Sequence, residues 1–336
     1  MDLKTIQAKA RERLGNICKV CVSCNGNACA GKVPGVGGVG TGSSFKANIK
    51  ALEEVRLNMR TIGGTIPSTE VNMFGHQLKA PILGAPIAGM TYNYGDVISE
   101  EEYAENTIAG CAKAGLIGMT GDGLSSREYP SGIEAIKKKK GLGIPVLKPG
   151  TVYQVMEKIK EAKEVGAPAV GMDIDGTGLV ALKTGVPPMG EKDLSSVINS
   201  TELPFILKGI MTVEEAIIAA EVGAKAIVVS NHGGRVLDGT PGTAHVLPQI
   251  ANAVRDRVLV LVDGGIRTGI DVLRMLGLGA HGVLIGRPLV VGNLGAGALG
   301  VSVVLEKIIG ELVQGMVMTG CNDVDSINKD IIWGDE

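Results

Sequence analysis

A buried strand and a catalytic turn are predicted by the stretch Ala226-Ile227-Val228-Val229-Ser230-Asn231-His232-Gly233-Gly234-Arg235-Val236-Leu237-Asp238. Its first four residues form an apolar run typical of a strand inside a core. The glycine-rich turn that follows places the His232 imidazole and the Arg235 guanidinium three residues apart. A base beside an anion-binding group at the end of a buried strand indicates a catalytic site, whereas a solvated polar loop is the simpler alternative.

Two further strand ends favour the site over the plain loop. Val258–Val262 leads into Asp263-Gly264-Gly265-Ile266-Arg267, and Gly282–Gly286 leads into Arg287. Glycine lets backbone N–H groups approach an anion closely, and arginine adds a planar charged fork. Consecutive strand ends of this kind form the usual phosphate site of a (β/α)8 barrel, after strands seven and eight.

Strands and helices alternate along the chain. The predicted strands are Pro81–Ala85, Leu116–Thr120, Ile144–Lys148, Ala169–Asp173, Pro204–Lys208, Ala226–Ser230, Val258–Val262 and Gly282–Gly286. The helical patterns between them include Ser99–Ala114, Thr151–Val165, Thr212–Val222, His245–Val254 and Thr268–Leu276. No Gly-x-Gly-x-x-Gly opens a helix after the first strand, which disfavours an open doubly wound sheet. We therefore predict an α/β fold, a (β/α)8 TIM barrel over residues 46–336, with an N-terminal Cys/Gly-rich extension over residues 1–45.

Composition narrows the classes of partner. The 336-residue chain has few aromatic residues and a net charge near −2, which argues against nucleic acid or an anionic membrane as a partner. Its first fifteen residues lack the apolar core of a signal peptide, so we expect a cytoplasmic protein. The apolar segment Leu289–Leu305 is broken by glycines and Asn293, and we interpret it as a loop plus a buried helix rather than a membrane span.

The strand-end motifs make the chain resemble the FMN-dependent 2-hydroxy acid oxidases and dehydrogenases, such as glycolate oxidase and lactate oxidase. The resemblance is dense over residues 202–290, thinner over 43–201, and does not extend to the first forty residues. It implies bound FMN and oxidation of a small-molecule 2-hydroxy acid, or a related hydroxy compound, to the 2-oxo product. Members of the family are often homo-oligomers, so we expect the same here.

The resemblance also implies roles for individual residues. His232 would be the base, Arg235 would bind the substrate carboxylate, and Asp175 would pair with the imidazolium and raise its pKa. The implied flavin contacts are Ala85, Pro86, Ile87, Lys148, Lys208, Ser230 and Asp263, and the implied phosphate contacts are Gly264, Gly265, Arg267, Gly286 and Arg287. Lys208 needs an anionic partner if it is buried, and a salt bridge to a neighbouring acid such as Asp175 is the alternative to a flavin contact.

The chain also departs from the family pattern. The family's N-terminal tyrosine would fall near Pro34, and Lys148 stands after strand three where a glutamine is usual, with no tyrosine following. Asp173 replaces a threonine, and a second arginine after strand four is missing. Because Asp122 and Asp173 would make the pocket more negative, a substrate with an amine or a polyhydroxyl group stays open. A non-redox FMN enzyme resembling type 2 isopentenyl diphosphate isomerase is the alternative function, and a flavin-binding sensor is the third.

A second chemical signal lies in the extension. Cys18, Cys21, Cys24 and Cys29 follow a C-x2-C-x2-C-x4-C pattern close to the bacterial ferredoxin run. Four clustered thiols in a cytosolic chain indicate a metal site rather than disulfides, and either a 4Fe-4S cluster or structural zinc fits them. A cluster would pass flavin electrons to a carrier such as ferredoxin. The glycine-rich segment after it, up to Gly42, is then either a pliable loop over the barrel mouth or a linker.

Overall fold

Eight parallel strands close into a barrel in the computed structural model, which describes residues 1–32, 34–123 and 125–334. The barrel strands are β3 (Ile82–Ile87), β4 (Ile117–Gly121), β5 (Ile144–Leu147), β6 (Val170–Asp173), β7 (Phe205–Ile210), β8 (Ala226–Val229), β9 (Leu259–Val262) and β10 (Gly282–Ile285). Each pairs with the next, and β10 pairs with β3 to close the barrel. All eight predicted strands are present, with ends that differ by at most two residues, so the predicted fold is confirmed.

A small hairpin covers the end of the barrel at which the strands begin. Strands β1 (Val71–Met73) and β2 (His76–Leu78) pair antiparallel. The buried Met73 packs there against Gly282, the first residue of β10: a Cβ on Gly282 would lie 2.7 Å from the Met73 Cε atom. The carboxyl end of the barrel is therefore the end at which a ligand can enter, as in other barrels of this type.

Helices surround the barrel. They are α1 (Leu3–Leu14), α2 (Pro34–Gly37), α3 (Ser43–Glu54), α4 (Met90–Tyr94), α5 (Glu100–Lys113), α6 (Glu128–Lys138), α7 (Val152–Glu164), α8 (Thr177–Thr184), α9 (Glu191–Ile198), α10 (Val213–Glu221), α11 (Thr243–Val254), α12 (Gly269–Gly277) and α13 (Arg287–Thr319), with 3-10 turns at Ile174–Gly176 and Lys329–Ile331. Two of the predicted helices begin at capping residues, since the side chains of Ser99 and Thr212 accept hydrogen bonds from the backbone N–H groups of Glu102 and Glu215.

Helix α13 corrects one expectation. The segment Leu289–Leu305 is not a loop plus a helix: it is helical on both sides of a break at Ala296 and Gly297. Its glycines serve close packing, because a Cβ on Gly300 would lie 1.9 Å from the carbonyl oxygen of Gly292. By length and composition α13 could span a membrane, but 61% of its most apolar window is buried inside the protein, as in a core helix.

The N-terminal extension packs against helices that surround the barrel. Ala10 and Leu14 of α1 are buried in a cluster with Met90 and Tyr94 of α4 and Leu294 of α13. The buried apolar contacts hold the extension on one side of the barrel mouth. The boundary at residue 45 stays a prediction.

Candidate active site

The predicted residues meet at the carboxyl ends of the strands. A cavity of about 70 Å³ there is lined by Ala85, Pro86, Ile87, Lys208, His232, Arg235, Asp263, Gly264, Gly265, Arg267, Gly286 and Arg287, together with Tyr94, Gly233, Ile266 and Leu284. Two other predicted residues, Asp175 and Ser230, contact members of this lining directly, whereas Lys148 contacts Asp173, which in turn pairs with Lys208. Residues separated by up to 202 positions therefore converge because every strand ends at the same face.

His232 is held in a defined orientation. Its Nδ1 atom lies 3.0 and 3.1 Å from the two carboxylate oxygens of Asp175. A carboxylate only accepts hydrogen bonds, so Nδ1 carries the proton and Nε2 keeps a lone pair for a substrate. The backbone of His232 has a φ of +56°, a conformation that is uncommon outside glycine and is concentrated at functional sites.

Burial decides the protonation state of His232. The loss of water lowers its pKa, and the attraction of Asp175, which raises the pKa, offsets this only in part. The positive charge of Lys208 adds to the lowering. The contribution of Asp175 therefore has the predicted sign, and desolvation, which the sequence did not reveal, is the larger effect. His232 is neutral near pH 7 and can accept a proton.

Arg235 presents a donor to the cavity. Its Nη2 atom donates to the side-chain oxygen of Asn93 at 2.9 Å. Its Nε atom is buried and has no hydrogen-bond partner among the described residues. A carboxylate bound in the cavity would satisfy this donor and pair with the charge.

Tyr94 is a site residue that sequence reasoning missed. It lies in the short helix after β3, is buried, and lines the cavity near Arg235 and Arg287. Burial raises the pKa of its phenol, which stays protonated at neutral pH. The two tyrosine positions of the family pattern are absent from this chain, but a phenol reaches the site from another element. Its only sequence signal is its place five residues after Gly89, the last residue of the loop that follows β3.

The two added acids do not make the pocket negative. Asp173 lies 2.9 Å from the Lys148 amine and 2.8 Å from the Lys208 amine. The carboxylate of Asp122 is paired with Lys158 and accepts a hydrogen bond from the Lys148 backbone. The prediction that Asp122 and Asp173 make the pocket more negative is therefore wrong, because each carboxylate is paired with a lysine.

Lys208 has acidic partners of its own. Its amine contacts Asp173 and lies 3.7 Å from Asp263, so the salt bridge considered with Asp175 forms with Asp173 instead. Asp263 also accepts a hydrogen bond from the Ser230 hydroxyl at 2.7 Å. Because Ser230 in turn accepts from the His232 backbone at 3.0 Å, only one acceptor position of that hydroxyl remains for a flavin.

Two arginines form the predicted phosphate site. The Nε and Nη2 atoms of Arg267 are buried without a hydrogen-bond partner among the described residues. Arg287 lies 4.1 Å above the Phe45 ring and donates to the carbonyl oxygens of Val36 and Gly233. Burial and the neighbouring Arg267 lower the pKa of Arg287 to about 10, so it stays charged. The unsatisfied donors of Arg267 and the positive charge of Arg287 beside them fit the phosphate of FMN.

The glycines beside this site have a second function. Gly264 and Gly265 have φ values of +98° and +82°, and a Cβ on Gly265 would lie 2.8 Å from the carbonyl oxygen of Asn48. The two glycines therefore also allow α3 to pack closely against the residues that follow β9. A phosphate site alone would not require this close packing.

The glycine-rich segment reaches over the catalytic turn. Asp238 accepts hydrogen bonds from the backbone N–H and hydroxyl groups of both Thr41 and Ser43, which lower its pKa. The N–H of Val39 donates to the carbonyl oxygen of Gly234 at 2.8 Å. The segment is thus bonded to the turn that carries His232, as the first of the two predicted alternatives requires.

The four predicted metal ligands line one larger cavity. Cys18, Cys21, Cys24 and Cys29 border a volume of about 510 Å³, whose wall includes Tyr94, Gly265, Arg267 and Arg287 of the inner cavity. Cys21 is exposed and the other three are half-buried, and burial raises the pKa of Cys18 and Cys29. The inner cavity alone is smaller than typical small-molecule sites of roughly 300–1,000 Å³, so a mononucleotide needs part of the larger one.

The four cysteine sulfurs do not form a closed tetrahedral set. No three of the four Sγ atoms, all within the described residues, lie within 4.8 Å of one another. Sulfurs around one tetrahedral zinc ion lie about 3.8 Å apart, given Zn–S bonds of about 2.3 Å. In a cubane cluster each thiolate binds a different iron, so a wider arrangement fits. Asp173, Asp175 and His232 do converge, but Lys148 and Lys208 already neutralise this group.

Comparison with known proteins agrees with this geometry. The family model for FMN-dependent dehydrogenase matches residues 36–183 and 180–334. The chain is 49% identical over 146 residues to an L-lactate dehydrogenase of Caulobacter sp. (strain K31), covering 44% of this chain and 38% of the relative. It is 46% identical over 147 residues to a 2-hydroxyacid oxidase of Dictyostelium discoideum, with 44% and 38% covered.

Solved structures extend the likeness to nearly the whole chain. The crystal structure of mandelate oxidase with (S)-2-phenylpropionate has a TM-score of 0.78 and 30% identity, and the match covers 98% of this chain and 97% of that one. The alignments to the curated relatives, by contrast, span about two fifths of those proteins' length. The family model covers most of the sequence and starts at residue 36, after the four cysteines. The chain belongs to the FMN-dependent dehydrogenase family.

Proposed function

We propose that this protein is an FMN-dependent oxidoreductase that oxidises a 2-hydroxy acid, or a related hydroxy compound, to the 2-oxo product. One observation carries the proposal: the His232 imidazole, oriented by Asp175, lines the same cavity as Arg235, whose buried Nε donor has no partner among the described residues. A base beside a carboxylate-binding cation is what the reaction needs. The bound FMN would supply the acceptor for the two electrons that leave the substrate.

The chain's own residues supply binding and proton transfer. Arg235 binds the substrate carboxylate, and Nε2 of His232 takes a proton from the substrate. Asp175 stabilises the imidazolium that forms, because its negative charge lies 3.0 Å from Nδ1. Arg267 and Arg287 would hold the FMN phosphate, and Lys208, which lines the same cavity, would contact the flavin.

Anaerobic reduction of the flavin tests this proposal. The holoprotein is mixed with glycolate, both enantiomers of lactate and of mandelate, and larger 2-hydroxy acids, and the flavin absorbance is followed. We expect bleaching with at least one of them. In His232→Gln the flavin should remain bound but its reduction should slow by about 10² or more, the usual range for a lost general base. Unchanged reduction would remove His232 from the mechanism.

A non-redox FMN enzyme resembling type 2 isopentenyl diphosphate isomerase is the second candidate. It is favoured only by the missing tyrosines and the missing second arginine. It predicts no net bleaching with any hydroxy acid, and turnover of isopentenyl diphosphate instead. The pair of His232 and Arg235 favours the first candidate.

We further propose that the four cysteines hold a 4Fe-4S cluster that takes electrons from the flavin, with structural zinc as the alternative. Their shared cavity and wide sulfur spacing support the cluster. An absorption spectrum and assays of iron, zinc and sulfide on anaerobically purified protein test it. Serine variants of Cys18, Cys21, Cys24 and Cys29 should each lose iron, whereas variants of Cys111 and Cys321, buried in the barrel core, should retain it. Zinc in place of iron, or no metal, would refute the cluster.

The surface near the cysteines suits an acidic electron carrier such as ferredoxin. Residues 1–32 contain six Lys and Arg residues against two Asp and Glu, although the whole chain has a net charge of −2. Val22 is fully exposed beside Cys21. Electron transfer to ferredoxin should therefore weaken steeply with salt. Lys19→Glu should slow it, while Lys137→Glu, in a basic run on α6, should not.

We also propose a cytoplasmic homo-oligomer. Six cysteines are free in the structure, which suits a reducing compartment. An exposed apolar patch joins the loop after α3 to the C-terminal segment, and it consists of Met59, Ile62, Ile66, Met318 and Trp333. A patch of this kind marks an interface more often than free surface. Light scattering of the wild type and of Ile62→Asp measures whether the patch holds copies together.

A further inference from the structure

Two buried side chains and one partly buried side chain, on or just after neighbouring strands, form one charged unit. Lys148 follows β5, Asp173 ends β6, and Lys208 lies in β7 directly beside Asp173 in the sheet register. The two lysine amines contact different oxygens of the same carboxylate, at 2.9 and 2.8 Å. Only 2% of the Asp173 side chain and 4% of the Lys208 side chain are exposed, so the contacts are shielded from water. We call these three residues the ion triad.

Two members of the ion triad compensate for each other. In the family pattern the position of Lys148 is a glutamine and that of Asp173 a threonine, both neutral. An ionised side chain buried without a partner is strongly destabilising. With lysine at position 148 and threonine at 173, no carboxylate would separate the Lys148 and Lys208 ammonium groups. With aspartate at 173 and glutamine at 148, the buried Asp173 carboxylate would lack one of its two lysine partners. Relative to the residues that the resemblance implies, Lys148 and Asp173 together add no net charge, and each offsets the charge of the other.

The ion triad changes what Lys208 presents to the cavity. Of the two lysines only Lys208 lines the predicted flavin cavity. One carboxylate oxygen of Asp173 contacts the Lys208 amine, and the other oxygen contacts the Lys148 amine. Asp263, at 3.7 Å, is a second negative neighbour of the Lys208 amine. The nearest charge behind Lys208 is therefore negative, and it offsets the positive potential at the cavity wall.

We propose that the ion triad acts as a unit in which Asp173 fixes the Lys208 amine and reduces the positive charge that it presents to bound FMN, which lowers the reduction potential of the flavin. Asp173 is in this sense a positioning residue that acts through Lys208. Reduction adds electrons to the flavin, so a weaker positive field stabilises the reduced form less. A flavin of lower potential passes its electrons on more readily, as an electron outlet requires. The inference rests on the proposed FMN site but needs no assumption about the substrate.

The test is a double-mutant cycle that returns the chain to the family pattern. Its members are Lys148→Gln, Asp173→Thr and the double variant, each loaded with FMN. The midpoint potential is measured by equilibrium reduction against a reference dye, and Tm is measured with and without FMN. We expect Asp173→Thr to shift the potential upward, Lys148→Gln to shift it downward, and both to lower Tm. The double variant should regain most of the lost Tm and keep a potential above that of the wild type.

A matched control separates charge from packing. Lys158→Gln breaks the other buried acid–lysine pair, with Asp122, which does not include Lys208. It should lower Tm and leave the flavin potential unchanged. A shift in potential as large as that of Asp173→Thr would show that general loosening, not the ion triad, sets the potential.

The remaining outcomes also decide the matter. Additive losses of Tm in the double variant would show that the residues do not act as a unit. An unchanged or lower potential in Asp173→Thr would refute the effect on the flavin. If Asp173→Thr gives no soluble protein while the double variant does, compensation is shown, and the potential of the double variant decides the rest. Failure to retain FMN in the wild type would refute the cofactor assignment instead, and the Tm cycle on the apoprotein would still test the ion triad.

Discussion

Replacing Asp175 by asparagine should slow substrate oxidation about 10³-fold without removing FMN. The Nδ1 atom of His232 lies 3.0 Å from the nearer carboxylate oxygen. At that distance and an effective dielectric constant of about 20, the attraction between imidazolium and carboxylate is about 5 kcal/mol. The asparagine oxygen can still accept a hydrogen bond worth about 1 kcal/mol, which leaves a loss of about 4 kcal/mol. The loss falls on the transition state, because the imidazole gains its charge only as the proton moves.

Anaerobic stopped-flow reduction of the flavin measures this effect on the variant and the wild type across pH. Asp175 raises the pKa of His232, so its removal should also move the acid limb of the rate profile to lower pH. Glu54→Gln is the matched control, because Glu54 contacts His245 at 2.7 Å on the surface, away from the site. A rate for Asp175→Asn within threefold of the wild type would show that the carboxylate does not support the base.

Three further predictions concern cofactor retention and stability. Arg287→Ala should weaken FMN binding about 10- to 100-fold by fluorescence titration, the cost of a lost charge-assisted hydrogen bond, whereas the exposed Arg255→Ala should not. Asn48→Ala should cost about 3 kcal/mol in urea unfolding, because it leaves the buried Thr243 N–H and Asn231 amide short of partners; the exposed Asn27→Ala is the control, and equal stability of the two would contradict the reasoning. Gly265→Ala should destabilise by about 2 kcal/mol more than Gly239→Ala in the same assay, since both have φ near +80° but only Gly265 faces a backbone atom within 3 Å. Equal losses would show that conformation alone matters.

The barrel and most of its lining could be predicted because the information is local. Each strand is a short apolar run, and the polar or glycine residue that follows it must lie at the carboxyl face. His232, Arg235 and Arg267 needed no more than this rule. The pairing of His232 with Asp175 followed from the resemblance, and the structure brings the two side chains into contact.

The charge pairs could not be predicted in the same way. Asp122 and Asp173 carry no sequence signal of their partners, because pairing depends on strand register and on which face each side chain takes. Asp173 contacts Lys208 only because the register of β6 and β7 places the two residues side by side. The Lys148 side chain must in addition extend from the end of β5 to the same carboxylate. The net pKa direction of His232 likewise depends on burial, which is a property of the folded site. Tyr94 was missed because a short helix turns it back into the cavity.

The bonds between the glycine-rich segment and the catalytic turn set an order of assembly during synthesis. Val39, Thr41 and Ser43 bond to residues about 195 positions later in the chain. At roughly 5–20 residues per second, a ribosome needs at least about 10 s to make that distance. For that interval the cysteine segment has emerged but has no surface to dock on. If the proposed metal site is real, its thiols are open to metal delivery during that interval, and docking of the segment on the catalytic turn then limits this access.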